Sequence, residues 1–182
     1  MIQLINAYKK KEKIAQLKSF LERVAPVRVT PFRIVEAVSC AVISGSERII
    51  TEEGILPSAE DFLLKVKVPV IGICYGMQLI SCVFGAQIES GDNIKGLRKV
   101  KIIRENLLTT GLPREVMLPE SHRERIISVS DKLEIFAVSK AGIELVKVKG
   151  RDIYGTQFHF ERSKKYGYIV LKNFLRIAGE DV

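Results

Sequence analysis

The chain has 182 residues, 47% of them hydrophobic, and a net charge of +8. That length and apolar share suit one α/β domain with a buried core, read here as a single domain over residues 1–182. No apolar run reaches the ~18 residues of a membrane helix, the N-terminus lacks a secretory pattern, and three cysteines without framework spacing fit a reducing compartment, so a cytoplasmic location is expected.

Residues 1–7 read as a first strand, and 10–24 have helical spacing through Ile14, Leu17, Leu21 and Val24. A short strand signal at 27–30 is stopped by Pro31, and a buried strand at 38–43 runs into Ser44-Gly45-Ser46. Ser58 reads as the N-cap of a helix through Val66, with Asp61 completing an approximate capping box. An apolar strand, a turn and a helix follow around Cys74. From 86 to 161 the signals become short strands with polar turns, such as 97–103, which read as antiparallel additions. A closing helix is expected from about 164 to 177, with Gly179 as its C-cap. The order predicts an α/β fold: a mainly parallel central sheet flanked by helices, with extra antiparallel strands in the second half.

The basic residues are dispersed, Lys9-Lys10-Lys11-Glu12-Lys13 being the one dense run. With no Trp and no aromatic–basic interleaving, the charge reads as a solvated surface, and no nucleic-acid partner is expected. Two histidines and no Cys-x-x-Cys argue against a zinc site.

Chemistry concentrates at two places. In 68–78 an apolar run ends in Cys74, bracketed by Gly72 and Gly76 and followed at once by a helix-like stretch. This is the pattern of a nucleophile elbow, in which a Cβ at either glycine would crowd the turn. The helix N-terminus beneath Cys74 suits an anionic sulfur. In 153–161, strand alternation would point His159 and Glu161 one way and Phe158 and Phe160 the other. A histidine oriented by a carboxylate is the usual partner of a cysteine nucleophile. Of the two histidines, His122 and His159, only His159 has a carboxylate in that register. In an open α/β sheet the site lies at strand carboxyl ends, where Ser44-Gly45-Ser46 and Cys74 both fall.

The segments Gly72-Ile73-Cys74-Tyr75-Gly76-Met77-Gln78 and Gln157-Phe158-His159-Phe160-Glu161 resemble the G-[IVL]-C-x-G-x-Q and Q-F-H-P-E motifs of the class I (triad) glutamine amidotransferases. The resemblance covers nearly the whole chain and is strongest to the separate glutaminase subunit of GMP synthase. It implies hydrolysis of L-glutamine through Cys74, His159 and Glu161. It implies an oxyanion hole from the N–H of Tyr75 and from Gly45-Ser46, and substrate contacts at Gly72, Gln78, Ser121 and His122. No P-loop and no S-G-G-x-D-S-type pyrophosphatase loop is present, so no cofactor is expected on this chain. ATP and Mg would then sit on a separate synthetase, an ATP-pyrophosphatase that aminates xanthosine monophosphate to GMP.

Three positions depart from the family pattern. Ser46 stands where many relatives have the second glycine of S-G-G-P, Phe160 replaces the proline, and Asn6-Ala7-Tyr8 replaces an acid and glycines after the first strand. Ser46 raises the expectation that the oxyanion loop needs a partner to form. A stand-alone γ-glutamyl or amide hydrolase, an amidotransferase for another acceptor and a catalytically silent module on the same fold are the alternative readings.

Overall fold

The structure, a computed structural model, describes residues 1–181. The chain runs β1 (Ile2–Ile5), a 3-10 turn (Lys11–Ile14), α1 (Ala15–Leu21), β2 (Val27–Thr30), β3 (Cys40–Ile43), α2 (Ile50–Glu53), α3 (Pro57–Lys65), β4 (Val70–Ile73) and α4 (Tyr75–Val83). It continues through β5 (Gln87–Ile102), a 3-10 turn (Leu107–Thr109), β6 (Glu115–Ser128), β7 (Leu133–Ser139), β8 (Gly142–Val148), β9 (Ile153–Thr156), a 3-10 turn (Phe160–Arg162) and α5 (Gly167–Ile177).

The nine strands form one sheet in the order β2-β1-β3-β4-β9-β8-β7-β5-β6. The first five are mutually parallel, and β8, β7, β5 and β6 join them antiparallel. This is the expected mainly parallel sheet with antiparallel strands added in the second half. The parallel strands read as unbroken apolar runs because both faces are covered. Their period of two divides one strand between two cores. Ile2, Leu4, Val42, Ile71 and Ile73 pack with Leu17, Phe20 and Phe174 on the α1 and α5 side. Ile5, Ala41, Ile43 and Val70 pack with Phe62, Leu63, Tyr75 and Leu79 on the α3 and α4 side.

Several element boundaries differ from the sequence reading. The first helix starts as a 3-10 turn and is α-helical only over Ala15–Leu21, and Lys10 supplies no side-chain cap at its start. The helix expected to be capped by Ser58 begins two residues earlier: Leu56 is the N-cap and Pro57 takes the first turn, where its fixed φ and missing N–H cost nothing. The closing helix starts at Gly167, after the 3-10 turn at Phe160–Arg162, and Gly167 packs so closely on the Phe160 carbonyl that a Cβ has no room. Gly179, with φ +77, follows the C-cap as expected. The strands between 86 and 161 are not all short, since β5 has 16 residues and β6 has 14. They form a hairpin largely wetted on β5, so hydropathy alternation there is weak and Gly91 and Gly96 read as breaks.

Candidate active site

The Cys74 elbow joins β4 to α4 with no residue to spare. Cys74 is held at φ +52, ψ −105, one of two non-glycine positive φ values among the described residues, and its N–H donates to the Thr156 carbonyl at 2.7 Å. Such backbone persists only where packing over-determines it. Gly72, beneath the turn, has room for no Cβ: one would fall 2.5 Å from the Gly76 carbonyl oxygen and 2.7 Å from Ile80 Cδ1. A Cβ on Gly76 would fall 2.7 Å from the Ile43 carbonyl oxygen, and one on Gly155 2.7 Å from Met77 Cγ. These three glycines let β3, β4, β9 and α4 close around the cysteine.

His159 lies past the end of β9, as N-cap of the 3-10 turn, with φ −88 and ψ 79. It is therefore not in a strand, and alternation is not what aims it. The 3-10 turn brings Glu161 back under the ring, and His159 Nδ1 bonds Glu161 Oε1 at 2.7 Å. Cys74 lines the same cleft and acts on the ring through a hydrogen bond and its charge. The His159 N–H donates to the Pro119 carbonyl at 2.8 Å, which ties the loop to β6. Phe160, in place of the family's proline, is fully buried and packs edge-on against Phe20 at 6.3 Å. Arg162 Nε stands 3.5 Å from Glu161 Oε1.

Burial by itself lowers the His159 pKa, but hydrogen bonds to Cys74 and Glu161 and their negative charge outweigh it and push it up to about 10. The imidazolium's contribution to stability is thus fully present below the ordinary 6.5 and is lost as pH rises through about 10. Cys74→Ala removes both contributions from the sulfur, so the His159 titration followed by NMR should fall from about 10 toward its ordinary value.

The cleft above the sulfur has a volume of about 470 Å³, and Tyr8, Ser46, Cys74, Gln78, Ser121, His122, His159 and Glu161 are among its lining residues. Gly45 covers the centre: a Cβ there would stand 3.3 Å from both His159 Cε1 and the Tyr8 hydroxyl. Ser46 keeps an ordinary negative φ, and its hydroxyl donates to the Ala7 carbonyl at 2.9 Å and accepts from the Arg48 N–H. The Tyr75 N–H, first in α4, has no intrahelical partner. Cys74 Sγ stands 3.7 Å from the Ser121 carbonyl oxygen. Gln78 is buried and donates to the Glu124 carbonyl at 3.0 Å and to Gln157 Oε1 at 3.2 Å. Gly72, expected to touch substrate, is not among the lining residues, because it is packed beneath the elbow instead. Among the described residues no cluster of three or more His, Cys, Asp or Glu could hold a metal ion, and no helix is long and apolar enough to cross a membrane.

Sequence reasoning missed Glu124. Its carboxylate accepts the N–H groups of Ile50 and Thr51, both at 2.7 Å, and so anchors α2 to β6. Tyr8 figures in the sequence only as a departure from the family pattern, yet its hydroxyl enters the cleft, where burial and then the Glu161 charge raise its pKa. The available signal was alternation: in β6 the buried positions are Val116, Leu118, Glu120, His122, Glu124 and Ile126. Three ionisable residues thus occupy the inward register.

The family model for class-I glutamine amidotransferases matches residues 6–178. The chain is 38% identical over 125 residues to the separate glutamine-hydrolyzing subunit of GMP synthase from Methanococcus maripaludis, covering 67% of this chain and 66% of that one. It is 35% identical over 137 residues to the glutamine-hydrolyzing GMP synthase of Lactobacillus johnsonii, covering 73% of this chain but 26% of that one. Among solved structures, a candidate GMP synthase subunit from Thermoplasma acidophilum superposes with a TM-score of 0.87 at 26% identity over 98% of this chain and 93% of the other. The matched region runs from the end of the first strand to the last helix and takes in the elbow, the His159 loop and the cleft between them: the chain belongs to the class-I glutamine amidotransferase family.

Proposed function

We propose that the chain hydrolyses L-glutamine through Cys74, His159 and Glu161 and passes the ammonia to a separate ATP-pyrophosphatase subunit that aminates xanthosine monophosphate to GMP. The observation that carries the reading is the Cys74 sulfur held at a strained elbow against a His159 ring whose far edge is fixed by Glu161 at 2.7 Å. The sulfur attacks the side-chain amide carbon of glutamine. The developing oxyanion meets the Tyr75 N–H and a donor from Gly45-Ser46. His159, already protonated, gives its proton to the departing nitrogen, which leaves as ammonia from a γ-glutamyl thioester. It then takes a proton from the water that cleaves the thioester to glutamate. Glu161 fixes the tautomer throughout. Gln78, Ser121 and His122 form the wall against which the substrate lies.

The names of the relatives support the acceptor, and in this reading ATP and Mg belong to the other subunit, in keeping with a sequence that carries no P-loop. Neither Gly45 nor Ser46 has a positive φ and the Ser46 hydroxyl is tied to Ala7 and Arg48, which supports a reading in which partner docking turns the second oxyanion donor into place. Glutamate release from L-glutamine should therefore rise at least about tenfold when the ATP-pyrophosphatase subunit, ATP, magnesium and xanthosine monophosphate are added, a usual size for coupling between sites. Equal release with and without that subunit would favour a stand-alone hydrolase or another acceptor.

A further inference from the structure

Beneath the cleft wall, behind His122, lies a chain of buried polar side chains that has no part in the reaction steps. Glu144 on β8 is 0% exposed and Glu120 on β6 is 2% exposed. The Ser139 hydroxyl donates to Glu144 Oε1 at 2.6 Å, and Glu120 Oε2 bonds His122 Nε2 at 3.0 Å. His122 Nδ1 lies 2.8 Å from the Glu124 carbonyl, which can only accept, so Nδ1 carries a proton. This leaves Glu120 Oε1 and Glu144 Oε2, both buried and both without a donor. β6 packs against β8, and a side-chain hydrogen bond between Glu120 and Glu144 is among the causes that raise the Glu144 pKa. As two carboxylates they would repel in a site without water, and both orphan oxygens would go unsatisfied. No lysine or arginine bonds either carboxyl among the described residues.

The geometry points to one proton held between Glu120 and Glu144, and to a Ser139–Glu144–Glu120–His122 chain that positions the Ser121 carbonyl against Cys74. A proton between the two glutamates and a second between Glu120 and His122 satisfy every facing atom and leave the three side chains neutral overall. Burial raises the Glu144 pKa, and the Glu120 charge adds to the effect while Ser139 opposes it. β6 is the edge strand of the sheet, and its one neighbour, β5, steps out of register between Ser90 and Ile94, opposite Arg123. Glu120, Ser121 and His122 pair with Gly96, Lys95 and Ile94 on one side of that step, and the bond between the inward-facing Glu120 and His122 side chains braces the same stretch from within. The same stretch lines the cleft with Ser121 and His122. Glu120 and Glu144 are positioning residues and touch no substrate.

The positioning half rests on the reading of Cys74 as nucleophile, and the proton half does not. Two measurements on the full chain test them without glutamine turnover. Glu144→Gln supplies permanently the N–H that the shared proton otherwise provides, so it folds. Its Tm should gain on wild type as pH rises from about 5 to 8, because wild type must keep a proton that an unfolded glutamate releases near pH ~4.3. Parallel Tm curves over that range overturn the shared proton. Iodoacetamide alkylation of Cys74 at neutral pH reads the positioning. Glu144→Gln should stay within about twofold of the wild-type rate, and Glu144→Leu, which has no donor, should depart by about three- to tenfold, the weight of one hydrogen bond. Ser139→Ala, expected to depart in the same sense, takes its place if the leucine variant does not fold. Equal rates in all variants, or a glutamine variant as far from wild type as the leucine one, overturn it.

Discussion

Replacing Cys74 by Ala should lower glutamate release at least about 10⁴-fold, the scale seen when one member of a nucleophile–base unit is removed. The sulfur is the group the proposed reaction must attach to the substrate, and water has no comparable hold on the position it occupies. The fold should survive, since Ala fills the small buried site without new contacts and circular dichroism would report an unchanged helix and strand content. A second variant separates strain from chemistry. Cys74→Gly relieves the φ of +52 that a side chain pays for at the elbow, so it should be as inactive as Cys74→Ala yet more stable by about 1 kcal/mol. Cys40→Ala and Cys82→Ala are the controls: burial pushes both thiols up to about 11, neither lines the cleft, and neither change should alter turnover. Retained turnover in Cys74→Ala would sink the mechanism.

Gly72→Ala should cost more than about 3 kcal/mol of stability and leave little folded, active protein, although Gly72 does not line the cleft. The new methyl would meet the Gly76 backbone and the Ile80 side chain in the layer where β4 and α4 meet. A flexible side chain could swing aside, but the Gly76 backbone cannot move without shifting the elbow. Urea unfolding would read the loss. For contrast, Gly54→Ala meets nothing within 4 Å and is strained only through its φ of +74, so it should cost about 1 kcal/mol. Equal midpoints for the two variants would mean that the elbow is looser than its packing implies.

The α/β order, the elbow and its glycine bracket were legible because they depend on local signals: an apolar run, a turn residue, a helix. The pairing of His159 with Glu161 was legible too, but for a reason the structure replaces, since a 3-10 turn rather than a strand brings the carboxylate beneath the ring. Gly72 was singled out from its place in the motif, and the structure packs it against Gly76 and Ile80 beneath the elbow. What remained hidden is non-local. Glu120, Glu124 and Glu144 look in sequence like ordinary surface charges, because nothing within a few residues announces the histidine, the helix α2 or the opposing carboxyl that each one meets. Only the alternation of β6 marks two of them as inward, and that signal shows once Val116, Leu118 and Ile126 are seen to share the same face.

That alternation constrains which changes of chain length β6 can absorb. Deleting one residue between Pro119 and Glu124 would exchange its two faces, turning Arg123 and Arg125 inward and expelling the partners of His122 and of α2 together. The slack in this hairpin lies across from it, at Gly91-Asp92-Asn93, where the ladder is already out of step and an added or lost residue shifts no facing pair. Among descendants of this sequence, insertions and deletions in the hairpin should therefore collect on β5, while β6 changes by substitution at constant length.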